Sequence, residues 1–186
     1  RPFFLENTNL FQTPFYKMFY SRRIGAQSDI KAGAKLTGKV GSYSVGALGV
    51  YTGGWDRYKG IPGLGDPNQP PDDELFTVIR AQRDVFASSN LGIMYIDRST
   101  NPGGSDRVFN RAGGVDLMLQ SGQFYLMGQG VYTQNTNKYS TLKGNGVYAQ
   151  AGYYGRFFRI DPYFSNFTPN FNLDSLGYFP KVPDKG

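Results

Sequence analysis

Acid–base chemistry in this chain falls to carboxylates. There is no His and no Cys among the 186 residues, which removes the usual general base, the thiol nucleophile and the usual transition-metal and Cys–zinc ligands. Asp84, Asp97, Asp116 and Asp161 lie on or near alternating segments. A glycosidase would need two such groups at about 5 to 10 Å. The plainer reading is a set of interior charges balanced by Lys31, Lys35, Arg80, Arg98 and Arg111. Asp66, Asp72, Asp73 and Glu74 offer oxygens to a hard cation such as Ca²⁺, but without EF-hand spacing they read as a solvated loop. Trp55, beside Arg57 and Tyr58, has the face to stack on a sugar; packing at a membrane interface or within the loop is the ordinary alternative. Gly63, Gly65, Gly103 and Gly104 stand in no strand–loop–helix context that would cradle a phosphate. The expectation is a protein that is not an enzyme and carries no cofactor or metal.

The elements that would position these residues are strands. In Asn110–Thr133, Val115, Leu117 and Leu119 alternate with Asp116, Met118 and Gln120, and Phe124, Leu126, Gly128, Gly130 and Tyr132 alternate with Tyr125, Met127 and Gln129. A period of two puts each set on its own face, and Ser121-Gly122 between the runs signals a tight hairpin. One face is apolar and small; the other mixes an acid, amides and Met. That division suits a wall with lipid on one side and a polar lumen on the other, and each half has the roughly 9–11 residues of a membrane-crossing strand.

Composition agrees. The chain holds 25 Gly, 14 Tyr and 15 Phe at a mean hydropathy of −0.44, and no apolar run approaches the roughly 18 residues of a membrane helix. The net charge of +6 is spread singly along the chain, which argues against nucleic acid as a partner. The start at Arg1, without Met or a signal peptide, reads as an interior fragment of a mature protein.

Strands are expected at Phe15–Ile24, Asp29–Lys39, Ser42–Tyr51, Glu74–Val85, Asn90–Arg98, the two halves of the hairpin, Gly144–Arg156 and Phe158–Phe167. Residues 1–14 form an irregular lead-in, 15–167 the barrel strands and loops, and 168–186 an irregular trailing segment. The connections alternate: short near Val40, long over 52–71, short at 87–89, medium over 99–107, short at 121–122, medium over 134–142 and short near Phe157. Short turns at one end and longer loops at the other are the rhythm of an outer-membrane barrel. The fold class expected is therefore all-β, an antiparallel transmembrane β-barrel. About nine strands fall in this chain; bacterial single-chain barrels use even numbers, so the chain reads as part of a larger barrel. Lys31, Lys35, Arg80, Asp84, Arg98 and Asp116 are candidates to face the lumen, since a Lys or Arg facing lipid near the midplane costs a few kcal/mol. Tyr43, Tyr51, Trp55, Phe124, Tyr132 and Tyr153 are candidates for interfacial girdles.

The phrases RPFFLENTNLF, FYSRRIG, AKLTGKVGSYSVGAL and VIRAQRDV resemble the start of the barrel half of a Bacteroidota outer-membrane family. Members of that family carry an N-terminal domain similar to carbohydrate-binding modules of the ninth family, followed by a barrel of uncharacterised function. The resemblance spans Arg1 to Val85 by phrase and the rest by pattern. It implies the bacterial outer membrane as location, outer-membrane lipid and other outer-membrane or periplasmic proteins as partners, and a role as channel, transporter or anchor of a surface or periplasmic module. It supplies no functional residues. The link Gly25–Asp29 is shorter than the family pattern, and the end at Gly186 precedes barrel closure. The alternatives are a soluble β-sandwich that binds carbohydrate on exposed aromatics, and a membrane-embedded hydrolase resting on carboxylates.

Overall fold

Alternation, not continuous apolar runs, builds every long strand. The computed structural model describes residues 8–21, 24–25, 28–53, 73–101, 108–136, 139–173 and 176. In chain order the strands are β1 (Ile30–Val40), β2 (Tyr43–Thr52), β3 (Glu74–Val85), β4 (Ser89–Thr100), β5 (Val108–Ser121), β6 (Phe124–Thr136), β7 (Thr141–Tyr154), β8 (Arg159–Ile160) and β9 (Tyr163–Phe167). They form one antiparallel meander in which each strand from β1 to β7 pairs with the next, while β8 and β9 both pair with β7. The sheet is not closed: β1 and β9 lie at its opposite ends. The protein is all-β; helical structure among the described residues is limited to short 3-10 turns, at Thr8–Phe11 and at Ser21.

Register assigns the faces. One row of partners runs Leu48, Val78, Ile96, Ala112, Thr133 and Gly144 across β2 to β7, and every member is buried. The row three residues away, Val45, Ala81, Ile93, Val115, Gly130 and Val147, lies on the other face. There Ile93 and Val115 are each 58% exposed. A soluble sheet with one face on water alternates apolar-in and polar-out. Here the open face is the more apolar one.

Tight turns set the register at one edge. Gly41 and Gly122 have φ of +58° and +56°, a region that Gly enters without the Cβ penalty of other residues. The β3–β4 turn places Phe86 at φ 58° instead, with its ring 87% exposed.

Three expectations need correction. Phe15–Ile24 is not a strand; it makes an isolated bridge at Lys17 and otherwise runs irregularly. Tyr16 and Met18 are fully buried while Phe15 and Phe19 also pack on the core, so both parities are apolar and no two-faced strand can form. The total of nine is reached differently, because the last expected strand divides into β8 and β9 around Asp161-Pro162. The polar loop expected over 134–142 is largely strand as well: Thr136 pairs with Thr141, so β6 and β7 extend almost to their connection. Their β-branched threonines fit a pleated surface better than a loop. The medium-length connection expected there is therefore short.

Candidate functional site

The covered face of the sheet holds the most deeply buried ion pair. Arg80, on β3, and Asp116, on β5, lie on the same face with β4 between them. Gly92 of β4 pairs with both Gln82 and Asp116, and its missing side chain opens the route: a Cβ there would fall on the Arg80 guanidinium. Arg80 Nη2 donates to Asp116 Oδ1 at 2.8 Å and Nη1 donates to Oδ2. Both side chains are 2% exposed. A fork-to-fork pair of this kind satisfies both carboxylate oxygens at once. Toward the loop edge Arg98 pairs with Glu74 on the same face and lies over the Phe76 ring. Toward the turn edge Lys39 Nζ donates to Asp84 at 2.7 Å.

Asp116 pairs in register with Gln129, which is buried and turned to a different task. Its Oε1 accepts from the backbone N–H of Phe15 at 3.0 Å and of Tyr16 at 2.7 Å, and its Nε2 donates to the Tyr16 carbonyl at 2.9 Å. Phe11, Tyr16, Met18 and Ile24 complete the core on this face with Leu48, Val78, Met94, Ile96 and Val131. From the other end of the chain, Asn172 N–H donates to Thr133 Oγ1 at 3.4 Å, and Leu173 is buried.

A second polar group sits at the turn edge. Tyr125 donates to Asp161 at 2.7 Å, Arg159 Nε donates to the same carboxylate, and Arg159 Nη2 donates to Tyr154 at 2.8 Å. The Tyr125 hydroxyl, with Arg159 behind it, holds the Asp161 carboxyl below the usual carboxylate range. Gly152 again makes the room, since a Cβ there would strike the Tyr125 ring.

Lys35, Arg80, Asp84, Arg98 and Asp116 lie on the covered face, and the structure joins Arg80 to Asp116 but joins Asp84 to Lys39 and Arg98 to Glu74. Lys31 stands at a register shift between Ile30 and Ala32 and is exposed. Tyr43, Tyr51, Phe124, Tyr132 and Tyr153 lie on the open face, with Phe124 and Tyr153 in ring contact at 4.8 Å. Trp55, like Asp66, Asp72 and the glycines at 63, 65, 103 and 104, lies outside the described residues. Arg111 departs from its expected place among interior charges: it lies on the open face near the loop edge, donating to Asp97, which also accepts from Ser99 at 2.6 Å. The pair neutralises itself where neither charge alone would sit well. Of the four acids, only Asp116 and Asp84 share the covered face of β3–β5, and each is held by its own cation. No group of His, Cys, Asp or Glu among the described residues is arranged to hold a metal ion.

Gln129, Gly92 and Tyr16 were not distinguished from sequence. Gln129 carried a partial signal, as a polar residue on the parity of Asp116, but its partner lies 113 positions away. Comparison of the chain with protein-family models, with curated proteins and with solved structures finds no match.

Proposed function

We propose that this chain is a run of wall strands from a bacterial outer-membrane β-barrel, acting as a channel, a transporter or the anchor of a surface or periplasmic module, and not as an enzyme. The observation that carries the reading is the inverted polarity of the sheet. Its open face is lined by Val45, Ala81, Ile93, Val115, Gly130 and Val147, while Arg80, Asp116, Gln129 and Thr133 lie on the covered face. Exposing such a face to water forgoes roughly 25 cal/mol for each Å² of apolar surface; facing it to lipid removes that loss.

The aromatics add a scale. Tyr43 and Tyr51 stand eight positions apart on β2, as do Phe124 and Tyr132 on β6. At about 3.3 Å per residue and a tilt near 40°, that separation is roughly 20 Å of height, close to the apolar band of a membrane barrel. Charged residues on the open face keep toward the edges: Arg83 lies near the turns, and Asp97 and Arg111 toward the loops. The phrases FYSRRIG and AKLTGKVGSYSVGAL support the same location through their likeness to the Bacteroidota outer-membrane family. A soluble sugar-binding sandwich would need a second sheet over the apolar face, and the described residues form one sheet.

The test is fractionation of the intact protein with gel mobility before and after boiling. Extraction by detergent alone, with a shift on boiling, is the expected result. A protein that stays in solution without detergent and runs identically in both states would overturn the proposal.

A further inference from the structure

We infer that residues 8–21 are a resident plug, seated on the lumen side of the wall and latched there by Gln129, so that the assembled barrel is closed at rest. The inference builds on the barrel reading and adds a state to it.

The seat is built on several strands at once. On β2, a Cβ at Gly46 would come within 2.8 Å of Leu10 Cδ2 and Phe11 Cζ. On β5, a Cβ at Gly114 would lie 2.7 Å from Met18 Sδ. On β7, a Cβ at Gly146 would lie 2.9 Å from Phe171 Cζ and 3.1 Å from Tyr16 Cζ. Each distance is below the van der Waals contact of two heavy atoms, about 3.5 Å or more. At these three positions the sheet has no side chain, and the segment fills the space.

The latch is polar. An irregular segment buried against a sheet must find partners for its own N–H and C=O groups. Gln129 meets two N–H groups and one carbonyl of Phe15 and Tyr16, and Thr13 Oγ1 donates to the Tyr16 carbonyl at 2.5 Å while accepting from Met18 N–H at 3.3 Å. The Tyr16 hydroxyl donates to the Val147 carbonyl at 3.1 Å. Phe15 stacks flat on Tyr148, with centroids 3.8 Å apart and planes at 4°. Tyr16 and Met18 are fully buried. A Gln on the wall of an open water-filled pore would spend its amide on solvent; this one is 3% exposed and spends it on the segment.

The consequence is a low resting permeability that rises when the segment leaves its seat. Because the chain holds no Cys, a single thiol at Met18 reports the seat directly. The experiment uses the intact protein carrying Met18→Cys, reconstituted in phosphatidylcholine–phosphatidylglycerol vesicles and planar bilayers. Three readings are taken: mobility on boiling, KCl conductance, and the rate of maleimide labelling at position 18. A second version adds Gln129→Ala and Gly146→Leu, which removes the latch and fills the seat. The expected result is a protected thiol and near-zero conductance in the first version. The second should keep its shift on boiling while labelling and conductance each rise tenfold or more. Gln129→Ala alone adds no bulk; if the double change prevents barrel assembly, this milder variant must raise labelling and conductance several-fold. A thiol that labels quickly in the first version overturns the plug, as does a conductance already equal to that of the variants. So does a barrel whose labelling rises with no change in conductance. Failure of the barrel reading looks different: no shift on boiling in any version, with position 18 still protected.

Discussion

Removing Asp116 leaves a guanidinium buried without its counter-charge, and the size of the effect follows from the geometry. Arg80 and Asp116 are each 2% exposed, joined through both carboxylate oxygens, and Gly92 leaves Arg80 no competing contact at that point. Breaking a buried pair by deleting one partner costs about 3–5 kcal/mol, because the remaining ion keeps its desolvation cost and loses its attraction. At about 1.4 kcal/mol per factor of ten, Asp116→Ala should lower the folded-to-unfolded ratio roughly a thousandfold. Replacing both partners by apolar residues of similar volume removes the cost and the gain together. Arg80→Met with Asp116→Leu should therefore return stability to within about 1 kcal/mol of the parent, or exceed it. The assay is urea unfolding of the intact protein in detergent micelles, with the folded fraction read as the band that shifts on boiling. An Asp116→Ala variant within about 1 kcal/mol of the parent would refute the reasoning, since that is the scale of a solvated surface pair. A double variant as damaged as the single one would refute it equally.

Gly92→Ala should cost about 1–3 kcal/mol by crowding the guanidinium, and the cost should vanish in an Arg80→Met background, as urea midpoints of the two pairs would tell. Val115→Arg places a charge on the open face; in a bilayer it should lower folding stability by about 2–4 kcal/mol, against about 0.5 kcal/mol or less for an exposed site in water, measured by urea folding into vesicles. Gly122→Ala meets nothing within 4 Å, so its cost is the backbone alone, about 1–2 kcal/mol at φ +56°; a larger loss would mean that the turn does more than turn. Because the folded state lowers the Asp161 carboxyl, its contribution is fully present above the ordinary aspartate range and is lost as pH falls through the lowered value. The Tyr125–Asp161 contact should therefore survive at pH 5, read as unchanged tyrosine fluorescence against an Asp161→Asn control, and give way only in stronger acid.

Local alternation made the strands legible. Val115, Leu117, Leu126 and Val147 stand on one parity and Asp116, Met118, Met127 and Tyr148 on the other, so the strands from Ile30 to Tyr154 follow from neighbours in sequence. The turns at Gly41 and Gly122 were legible for the same reason, since a left-handed residue is needed and Gly fills it. The covered segment was not. Phe15, Tyr16, Met18 and Phe19 are aromatic-rich enough to suggest a strand, and only tertiary contacts make them a filling for the sheet's covered face. Charge alone groups Arg111 with the interior cations; its parity with Val115 puts it on the open face, where Asp97 stands one strand away. The pairing of Arg80 with Asp116 across β4 depends on the small residue at 92, a three-strand relation that no period of two reveals.

The most direct test places a fluorescent label at single positions along the β5–β6 hairpin of the intact protein in vesicles and measures quenching by nitroxide-bearing lipids. Val115, Leu117 and Leu126 should be strongly quenched, and Met118 and Met127 should not, giving a period of two that matches the open and covered faces. Quenching at neither set, or equally at both, would contradict the claim that the apolar face of this sheet meets lipid.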